Sequence, residues 1–354
     1  MKKILLVATV YRVGYRIYSA IPKLSLLADI DILLINQMSP MCKWYGDKDP
    51  RLAFHKKYNK FFDIILDAGA NSTNRTPSHA IDSIDVSKYD LILYDDNRNR
   101  HGLGNLYNKA KKLNIPVVGC VHGAGKADLN ALDSVYDYLC IFGEKELRLN
   151  DYNTKLKKIG IPSNDRLAEI ESTDSYILVI VNYLGNRPCP FPVQVDKNFI
   201  DKVGLKQLQN EFNKKIIFKL KSRLDHPYPE RDIDYLNQII NDELDYDIIM
   251  DGDNDQIIKN SFLVLSAPST LSLKSIQLGI PTILVQGSGA EDIHLNNFQG
   301  LVPLDTQTIF NEIERQYNYG KDIDFIKDTI EGGIDFNSTD KLVKVIKNIM
   351  LEKR

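Results

Sequence analysis

Residues 262–281, with the sequence FLVLSAPSTLSLKSIQLGIP, contain the pattern that decides the fold. The apolar run Phe262–Leu265 predicts a buried strand, and the proline that follows it turns the chain. Ser269 or Thr270 can then cap a helix that Gly279 ends, before a second proline opens the next strand. A buried strand, a helix and another buried strand in this order predict a β-α unit of a parallel sheet.

Short apolar runs repeat this strand pattern along the rest of the chain. Each run is continuous rather than alternating, which indicates strands buried on both faces, as in parallel sheets flanked by helices. We therefore expect repeated β-α units in both halves. The runs are Ile4–Val10, Ile30–Ile35, Ile64–Ala68, Leu91–Tyr94, Val117–Val121, Leu139–Phe142, Tyr176–Val181, Ile216–Leu220, Ile248–Met250 and Thr282–Val285.

A polar interval, Ser163–Ser175, separates two sets of these units. The chain has 354 residues, of which 43% are apolar, enough for two buried cores at ~150 residues per domain. We expect an α/β fold of two Rossmann-like, doubly wound domains that face each other across a cleft. The expected bounds are 1–165 for the N-terminal domain, 166–335 for the C-terminal domain and 336–354 for a final helix. Ligands of such folds bind where the strands end.

The composition narrows the class of partner. Forty-five Lys and Arg against 47 Asp and Glu leave a net charge of −2, so no global positive field exists to attract nucleic acid. The four cysteines have no metal-binding spacing, and reduced thiols are typical of the cytoplasm. No apolar run approaches the ~20 residues that span a bilayer. We expect a cytoplasmic protein with at most peripheral membrane contact.

Cations follow one strand of the second half at a spacing of two residues. In an extended chain Lys219, Lys221 and Arg223 would project to one side, and His226 comes just beyond them. Three cations on one side at a cleft rim suit a phosphate group. The alternative is a solvated edge strand followed by a turn.

The start of the helix in residues 262–281 is a candidate anion site. Free backbone N–H groups and the hydroxyls of Ser269 and Thr270 would surround an anion, and Lys274 adds a positive charge one turn further on. The alternative is an ordinary helix cap, since Ser and Thr are common there in any protein.

Two loops of the first half contain candidate proton-transfer groups. His122 lies in a glycine-rich turn after a strand and could act as a general base, although a single histidine is more often structural. The turn does not have the spacing of a phosphate-binding P-loop. Asp95 and Asp96 also end a strand and could act as a base or bind a divalent cation, although exposed turn carboxylates are the commoner outcome. Tyr11, Arg12 and Gly14 occupy the first strand-to-helix loop, a place for acceptor contacts.

Five short segments, in this order along the chain, resemble the GT-B superfamily of nucleotide-dependent transferases. They are VHGAGKAD (121–128), IFGEKE (141–146), GIPSNDRL (160–167), DHP (225–227) and SAPSTLSLKSIQLGIP (266–281). The branch they resemble most contains capsule sialyl- and Kdo-transferases and CDP-glycerol glycerophosphotransferases.

The resemblance implies a nucleotide donor in the C-terminal domain and an acceptor in the N-terminal domain. It implies that His226 and Arg223 face the donor phosphate, and that His122 is the base, with Asp96 as second choice. Lys274 stands where many relatives that use sugar nucleotides have Glu, which favours a cytidine-type donor. The implied donor-binding residues are Lys221, Arg223, His226, Ser269, Thr270 and Lys274.

Together these features predict a metal-independent glycosyltransferase of capsule polysaccharide biosynthesis that needs no cofactor. It would move a sugar from a nucleotide-activated donor to a hydroxyl of a glycan or glycolipid acceptor, with fixed cations stabilising the leaving phosphate. Three alternatives remain: a CDP-polyol phosphotransferase, a sugar-nucleotide epimerase and a non-catalytic nucleotide-sugar-binding protein. Transfer to DNA would need a basic groove that the sequence does not show.

Overall fold

The computed structural model describes most of both halves of the chain. The described residues are 2–9, 17, 19–35, 63–68, 83–94, 104–121, 136–147, 155–181, 184, 195–220, 229–240, 243–269, 271–285, 295 and 297–352.

The described chain alternates strands with helices. The strands are β1 Lys3–Thr9, β2 Asp29–Ile35, β3 Asp63–Ala68, β4 Leu91–Tyr94, β5 Val117–Cys120, β6 Tyr138–Ile141, β7 Lys155–Lys158, β8 Tyr176–Ile180, β9 Lys215–Lys219, β10 Tyr246–Ile249, β11 Ser261–Ser266, β12 Thr282–Val285 and β13 Leu301–Val302. The helices are α1 Ile21–Leu24, α2 Gly104–Lys112, α3 Glu144–Leu147, α4 Lys197–Val203, α5 Leu205–Phe212, α6 Pro229–Ile239, α7 Asn254–Lys259, α8 Ser272–Leu278, α9 Thr306–Tyr319, α10 Ile323–Thr329 and α11 Ser338–Glu352. Two 3-10 segments cover Val86–Lys88 and Pro162–Glu169.

These elements form two compact units. The first consists of Met1–Asp165 together with Lys327–Arg354, and the second of Arg166–Ile326. The chain therefore passes from the first unit to the second and returns within α10.

The first unit contains a seven-stranded sheet in the order β3-β2-β1-β4-β5-β6-β7, and every neighbouring pair is parallel. All four residues of β4, β5 and β6 are buried, which is what continuous apolar runs require. On one face, Leu91 and Leu93 join a core that also contains Leu342 and Ile346 of α11. The last helix thus completes the core of the first unit.

Three tyrosine rings fill the other face of this sheet near the end of β4. Tyr94, Tyr107 of α2 and Tyr136 are each at most 2% exposed, and their ring centroids lie 5.6 to 6.2 Å apart. Gly119 of β5 lies against them, because a Cβ atom there would be 2.9 Å from the ring of Tyr136. A side chain at position 119 would therefore have no room.

The second unit contains a six-stranded parallel sheet in the order β10-β9-β8-β11-β12-β13. Alternate residues of β8 point to opposite faces, so that Ile177 and Val179 join one apolar cluster and Leu178 and Ile180 join another. Residues of α4, α5, α6 and α9 belong to the first cluster, and residues of α7 and α8 belong to or pack against the second. Helices thus cover both faces of the sheet.

The two sheets confirm the predicted fold class of two Rossmann-like, doubly wound domains. The predicted strands agree with the observed ones to within two residues at either end. Two strands, β7 and β13, have no counterpart among the predictions. Each lies at an edge of its sheet, where one side of the strand needs no apolar cover.

Candidate functional site

The strand order changes direction once in each sheet, and such switch points mark where ligands bind in doubly wound folds. In the first sheet the change lies between β1 and β4, and in the second between β8 and β11. Loops that leave neighbouring strands in opposite directions open a crevice at the carboxyl ends of these strands. The search for a site therefore begins in the loops after these strands.

Most of the predicted site residues lie outside the described residues, although their chain positions are informative. Each follows within a few residues of the carboxyl end of a described strand. Tyr11, Arg12 and Gly14 follow β1, Asp96 follows β4, His122 follows β5, Lys221, Arg223 and His226 follow β9, and Thr270 follows β11. Two predicted donor-binding residues, Ser269 and Lys274, are described.

Ser269 shapes the turn between β11 and α8. Its Oγ accepts a hydrogen bond of 3.2 Å from the N–H of Leu271, and its carbonyl oxygen accepts one of 3.0 Å from the N–H of Ser272. The residue at the cap position of α8 is Leu271, whose side chain makes no capping bond. The expected side-chain cap at the helix start by Ser269 is thus replaced by a local turn in which its hydroxyl binds the backbone.

Hydroxyl groups continue along the buried side of α8. Ser275 donates to the carbonyl oxygen of Ser272 at 2.9 Å, and Thr282 of β12 donates to the Oγ of Ser275 at 2.9 Å. The Oγ of Ser272 is buried, and no described residue forms a hydrogen bond with it. Gly279 ends the helix with a φ of 79°, a left-handed conformation that favours glycine, as the sequence predicted.

Lys274 contacts a buried carboxylate. Its ammonium group is hydrogen-bonded to Oδ1 of Asp255 in α7, and their side chains are only 17% and 7% exposed. The other oxygen, Oδ2 of Asp255, lies 2.5 Å from Nε of Arg166, which also contacts Asp253 through a terminal nitrogen. Two cations and two carboxylates therefore balance in one cluster, which we call the ion-pair cluster: Arg166, Asp253, Asp255 and Lys274.

The cluster holds three separate segments of the second unit together. Arg166 belongs to the 3-10 segment, Asp253 and Asp255 to the start of α7, and Lys274 to α8. Asp253 also caps α7 by accepting a 3.0 Å hydrogen bond from the N–H of Asp255. Burial raises the pKa of Asp253, but the hydrogen bonds and positive charge of Arg166 outweigh this, and the net pKa lies below its ordinary 3.8.

Lys219 corrects one part of the sequence interpretation. Instead of projecting from a cleft rim, its side chain is buried, and Nζ donates to the carbonyl oxygens of Leu220 at 2.7 Å and Met250 at 2.6 Å. These carbonyl groups follow the ends of β9 and β10, so the ammonium group ties the two strand ends together. A spacing of two residues does not distinguish a ligand-binding cation from one that binds backbone carbonyls.

Sequence reasoning missed the roles of Arg166, Asp253 and Asp255. A signal existed for Asp253, since an Asp before a helical segment is a typical cap. No signal identified its arginine partner, because 87 residues separate them along the chain.

Two kinds of feature are absent from the described residues. No cluster of three or more His, Cys, Asp or Glu side chains in this part of the chain is arranged to hold a metal ion. In the same residues, no helix is long and apolar enough to cross a membrane.

Comparison with known proteins gives matches of structure and none of sequence. This chain matches no protein-family profile and no curated protein. The putative UDP-N-acetylglucosamine 2-epimerase of Listeria monocytogenes matches with a TM-score of 0.67 and 10% identity, over 99% of this chain and 98% of that one. The UDP-GlcNAc 2-epimerase of Methanocaldococcus jannaschii, in complex with UDP-GlcNAc and UDP, matches with a TM-score of 0.60 and 16% identity, over 98% of this chain and 100% of that one. A glycosyltransferase of Rickettsia africae matches with a TM-score of 0.59 and 14% identity, over 99% of this chain and 98% of that one.

These matches cover both units, and they show that the chain has the GT-B fold, as the sequence resemblance predicted.

Proposed function

We propose that this protein is an enzyme that acts on a UDP-activated sugar, and that its reaction is 2-epimerisation. The observation that supports this most strongly is the match along nearly the whole chain to UDP-GlcNAc 2-epimerases, one of them in complex with UDP-GlcNAc and UDP. The matched structures support the GT-B superfamily and give no support to the sialyl-, Kdo- or CDP-glycerol branch. Epimerisation, an alternative in the sequence analysis, thus becomes the first choice.

The donor site that we propose lies at the carboxyl ends of β9 and β11. The pyrophosphate of the sugar nucleotide needs several positive or N–H groups that converge on it. Lys221, Arg223 and His226 follow β9, while Ser269 and Thr270 follow β11, so both sets leave the same edge of one parallel sheet. We propose these five residues as donor ligands.

The reaction itself needs a proton to leave C2 on one face of the sugar while the C1–O bond to UDP breaks, so that the electron pair of the C2–H bond forms a C1=C2 double bond. A proton then arrives at C2 on the other face, and UDP bonds to C1 again. The substrate and the product have the same atoms and differ only in the configuration at C2. A base and an acid are required, and His122 and Asp96 follow the strands β5 and β4 of the first unit. We propose them as the proton-transfer pair, with Tyr11, Arg12 and Gly14 near the sugar.

The sequence argument for a cytidine-type donor is that Lys274 stands where many sugar-nucleotide enzymes have a glutamate for the ribose hydroxyls. In the structure Lys274 is paired with Asp255, and the four residues of the ion-pair cluster carry no net formal charge. The pairing gives this lysine a role within the fold and supplies no ribose ligand in place of the glutamate. We propose that Lys274 holds the start of α8 in place, and that its effect on donor binding is indirect.

Glycosyl transfer is the second candidate. The Rickettsia africae glycosyltransferase has the same fold along 99% of this chain, and the ordered motifs of the sequence resemble transferases. In this case a glycan or glycolipid hydroxyl accepts the sugar, and capsule polysaccharide is the product class proposed. The same loops would bind the donor.

One incubation separates the two candidates. UDP-GlcNAc is mixed with the purified full chain in D2O, without any acceptor, and followed by proton NMR. An epimerase forms a second sugar nucleotide and replaces the C2 proton of the product by deuterium. A transferase leaves the sugar nucleotide unchanged until an acceptor is added, and then releases UDP. Absence of turnover with UDP-, CDP- and CMP-sugars across an acceptor panel would contradict both and favour a binding protein.

The donor site is tested by His226→Ala and Arg223→Ala. Each removes one charge-stabilising contact, and we expect kcat/KM to fall by about 10²-fold or more. Lys206→Ala is the control, since this exposed lysine lies at the start of α5 and hydrogen-bonds to the carbonyl of Glu243. If both site variants turn over and bind donor like the control, the proposed donor site is wrong.

A further inference from the structure

Among the described residues of the first unit, three large apolar side chains are exposed, and all three lie at the same edge of its sheet. Leu26 is 85% exposed, Leu113 is 49% exposed and Leu351 is 47% exposed. Soluble surfaces tolerate single exposed leucines, so their common position is the informative observation.

The position of each leucine follows from the strand nearest to it. Leu26 precedes the first residue of β2 by three residues, and Leu113 precedes the first residue of β5 by four. Leu351 adjoins Glu352, whose carboxylate accepts a 2.9 Å hydrogen bond from the hydroxyl of Tyr138, the first residue of β6. Because all strands are parallel, their first residues share one edge, which we call the amino edge.

The amino edge is wide enough to spread the leucines apart. In the sheet order, β2 and β6 are separated by β1, β4 and β5. At ~4.8 Å per strand, the two outer leucines are associated with strands roughly 19 Å apart. The leucines are therefore separate anchors and not one compact apolar patch.

Exposed lysines accompany the leucines. Lys112 precedes Leu113, Lys155 is the exposed first residue of β7, and Lys347 lies one turn before Leu351 on the same exposed side of α11. Lys155 Nζ also lies 5.2 Å from the ring centroid of Tyr138, which fixes this cation at the amino edge.

Several acidic groups of this edge already have partners. Asp31 lies 2.9 Å from Nζ of Lys3, and Asp90 lies 2.7 Å from Nζ of Lys2. Glu352 accepts the hydrogen bond from Tyr138 described above. The charges of Asp31 and Asp90 are thus partly compensated within the edge, while Lys112 and Lys347 are exposed and Lys155 lies over the ring of Tyr138.

We propose that the amino edge of the first unit binds the surface of an anionic lipid bilayer. Separate leucines can enter the boundary between head groups and acyl chains, and lysines beside them can reach the phosphates. A protein partner is favoured less, since protein interfaces need a contiguous, well-packed centre. The edge lies opposite the carboxyl ends of the strands, so a bound membrane would leave the loops of the proposed site open. The inference does not depend on the reaction proposed above.

Vesicle flotation of the full chain tests this proposal. We expect the protein to float with vesicles of equal parts phosphatidylcholine and phosphatidylglycerol, and to remain below with phosphatidylcholine alone. Binding should weaken as salt is added, because the lysine contribution is electrostatic. An equal bound fraction on both vesicles, or no flotation with the anionic ones, would overturn the proposal.

Paired variants locate the surface. Leu26→Ser with Leu351→Ser should lower the vesicle partition coefficient by about tenfold or more, since each removes an exposed apolar anchor. Lys112→Gln with Lys155→Gln should lower it by about fivefold for each lysine. Tyr319→Ser and Lys206→Gln are controls in the second unit, where Tyr319 is 80% exposed. Circular dichroism establishes that every variant is folded.

A second copy of the chain is the main alternative to a lipid surface at the amino edge, and the same variants distinguish the two. If sedimentation velocity shows that the wild-type chain associates with itself, and the leucine pair abolishes this association without changing flotation, the edge is an interface between copies of the chain. That result would overturn the lipid proposal. Loss of flotation in the controls to the same extent as in the edge variants would overturn it as well.

Discussion

The two units hold neighbouring elements together by different means. In the first unit, the rings of Tyr94, Tyr107 and Tyr136 pack beside β4 and leave no room at Gly119. In the second, the ion-pair cluster joins the 3-10 segment, α7 and α8. The first arrangement depends on shape, whereas the second depends on the protonation of carboxylates. The two regions should therefore respond differently to added volume, lost charge and acid.

Removal of the central carboxylate should have the largest effect. Asp255→Ala leaves Arg166 and Lys274 without their shared buried partner, and we expect the free energy of unfolding to fall by about 3 kcal/mol. Urea unfolding followed by far-UV circular dichroism measures the change. The matched control is Asp247→Ala, which breaks an exposed pair with Lys215 and should cost less than about 1 kcal/mol. If the free energy of unfolding fell equally in Asp255→Ala and Asp247→Ala, the ion-pair cluster would stabilise the second unit no more than an exposed ion pair does.

Added volume should affect the first unit next most strongly. In Gly119→Ala the new methyl group meets the ring of Tyr136 at 2.9 Å, and the neighbouring rings prevent its retreat, so we expect a loss of about 2 kcal/mol. The same urea experiment applies. Gly104→Ala is the control, because a Cβ atom there has no atom of the described residues within 4 Å. If both variants are as stable as the wild type, the packing of the tyrosines is looser than the structure shows.

Removal of one cation from the cluster should have a smaller effect than removal of its carboxylate. Lys274→Met retains the aliphatic stem and leaves Asp255 paired with Arg166, so we expect a loss of about 1 kcal/mol. The affinity for UDP, measured by calorimetry, should change little in the folded variant. A large loss of affinity without a loss of stability would show that Lys274 contacts the donor directly. Lys344→Met, on the exposed side of α11, is the control.

The smallest effect is expected in acid. The pKa of Asp253 is lowered in the folded state, so its stabilising contribution is complete above its ordinary 3.8 and is lost as the pH falls below that value. Asp253→Asn can still cap α7 but does not titrate, so it should be slightly less stable than the wild type at neutral pH, and the difference should disappear as the pH falls below 3.8. Thermal unfolding at a series of acidic pH values measures the slope.

A carboxylate of the first unit, Asp165, has a pKa shifted in the opposite direction to that of Asp253. Burial raises the pKa of Asp165, which outweighs the hydrogen bonds donated by the N–H groups of Ser338 and Thr339. Its contribution therefore becomes more favourable as the pH falls through the raised pKa towards 3.8. In Asp165→Asn this rise should disappear. If Asp253→Asn and Asp165→Asn altered the dependence of thermal stability on pH in the same direction, the opposite pKa shifts of Asp253 and Asp165 would be wrong.

The sequence was sufficient to predict the strands that form the middle of each sheet. Runs such as Leu91–Tyr94 and Ile283–Val285 are apolar at every position because both faces of the strand are buried. This requirement also predicted the doubly wound class. It could not predict β7, whose sequence KLKK contains three lysines and one leucine. An edge strand beside solvent does not need apolar residues on both faces.

The candidate site could be predicted only where one segment determines its own geometry. The helix of residues 272–278 and its end at Gly279 follow from local signals. The partners of Lys274 and Lys219 do not, since Asp255 and Met250 reach them from other elements of the sheet and its helices. Whether a lysine binds a ligand, a carboxylate or a carbonyl group depends on tertiary packing that no local pattern encodes.

The return of α11 to the first unit has a consequence for synthesis on the ribosome. Leu342, Ile346 and Ile349 belong to the same core as Ile4 and Leu6 of β1, more than 330 residues earlier. The whole of the second unit is translated between these two groups, so it can fold while the first core still lacks one wall. Nascent chains would thus expose an unfinished apolar surface until α11 has been synthesised, and this is the interval in which chaperones would be needed most.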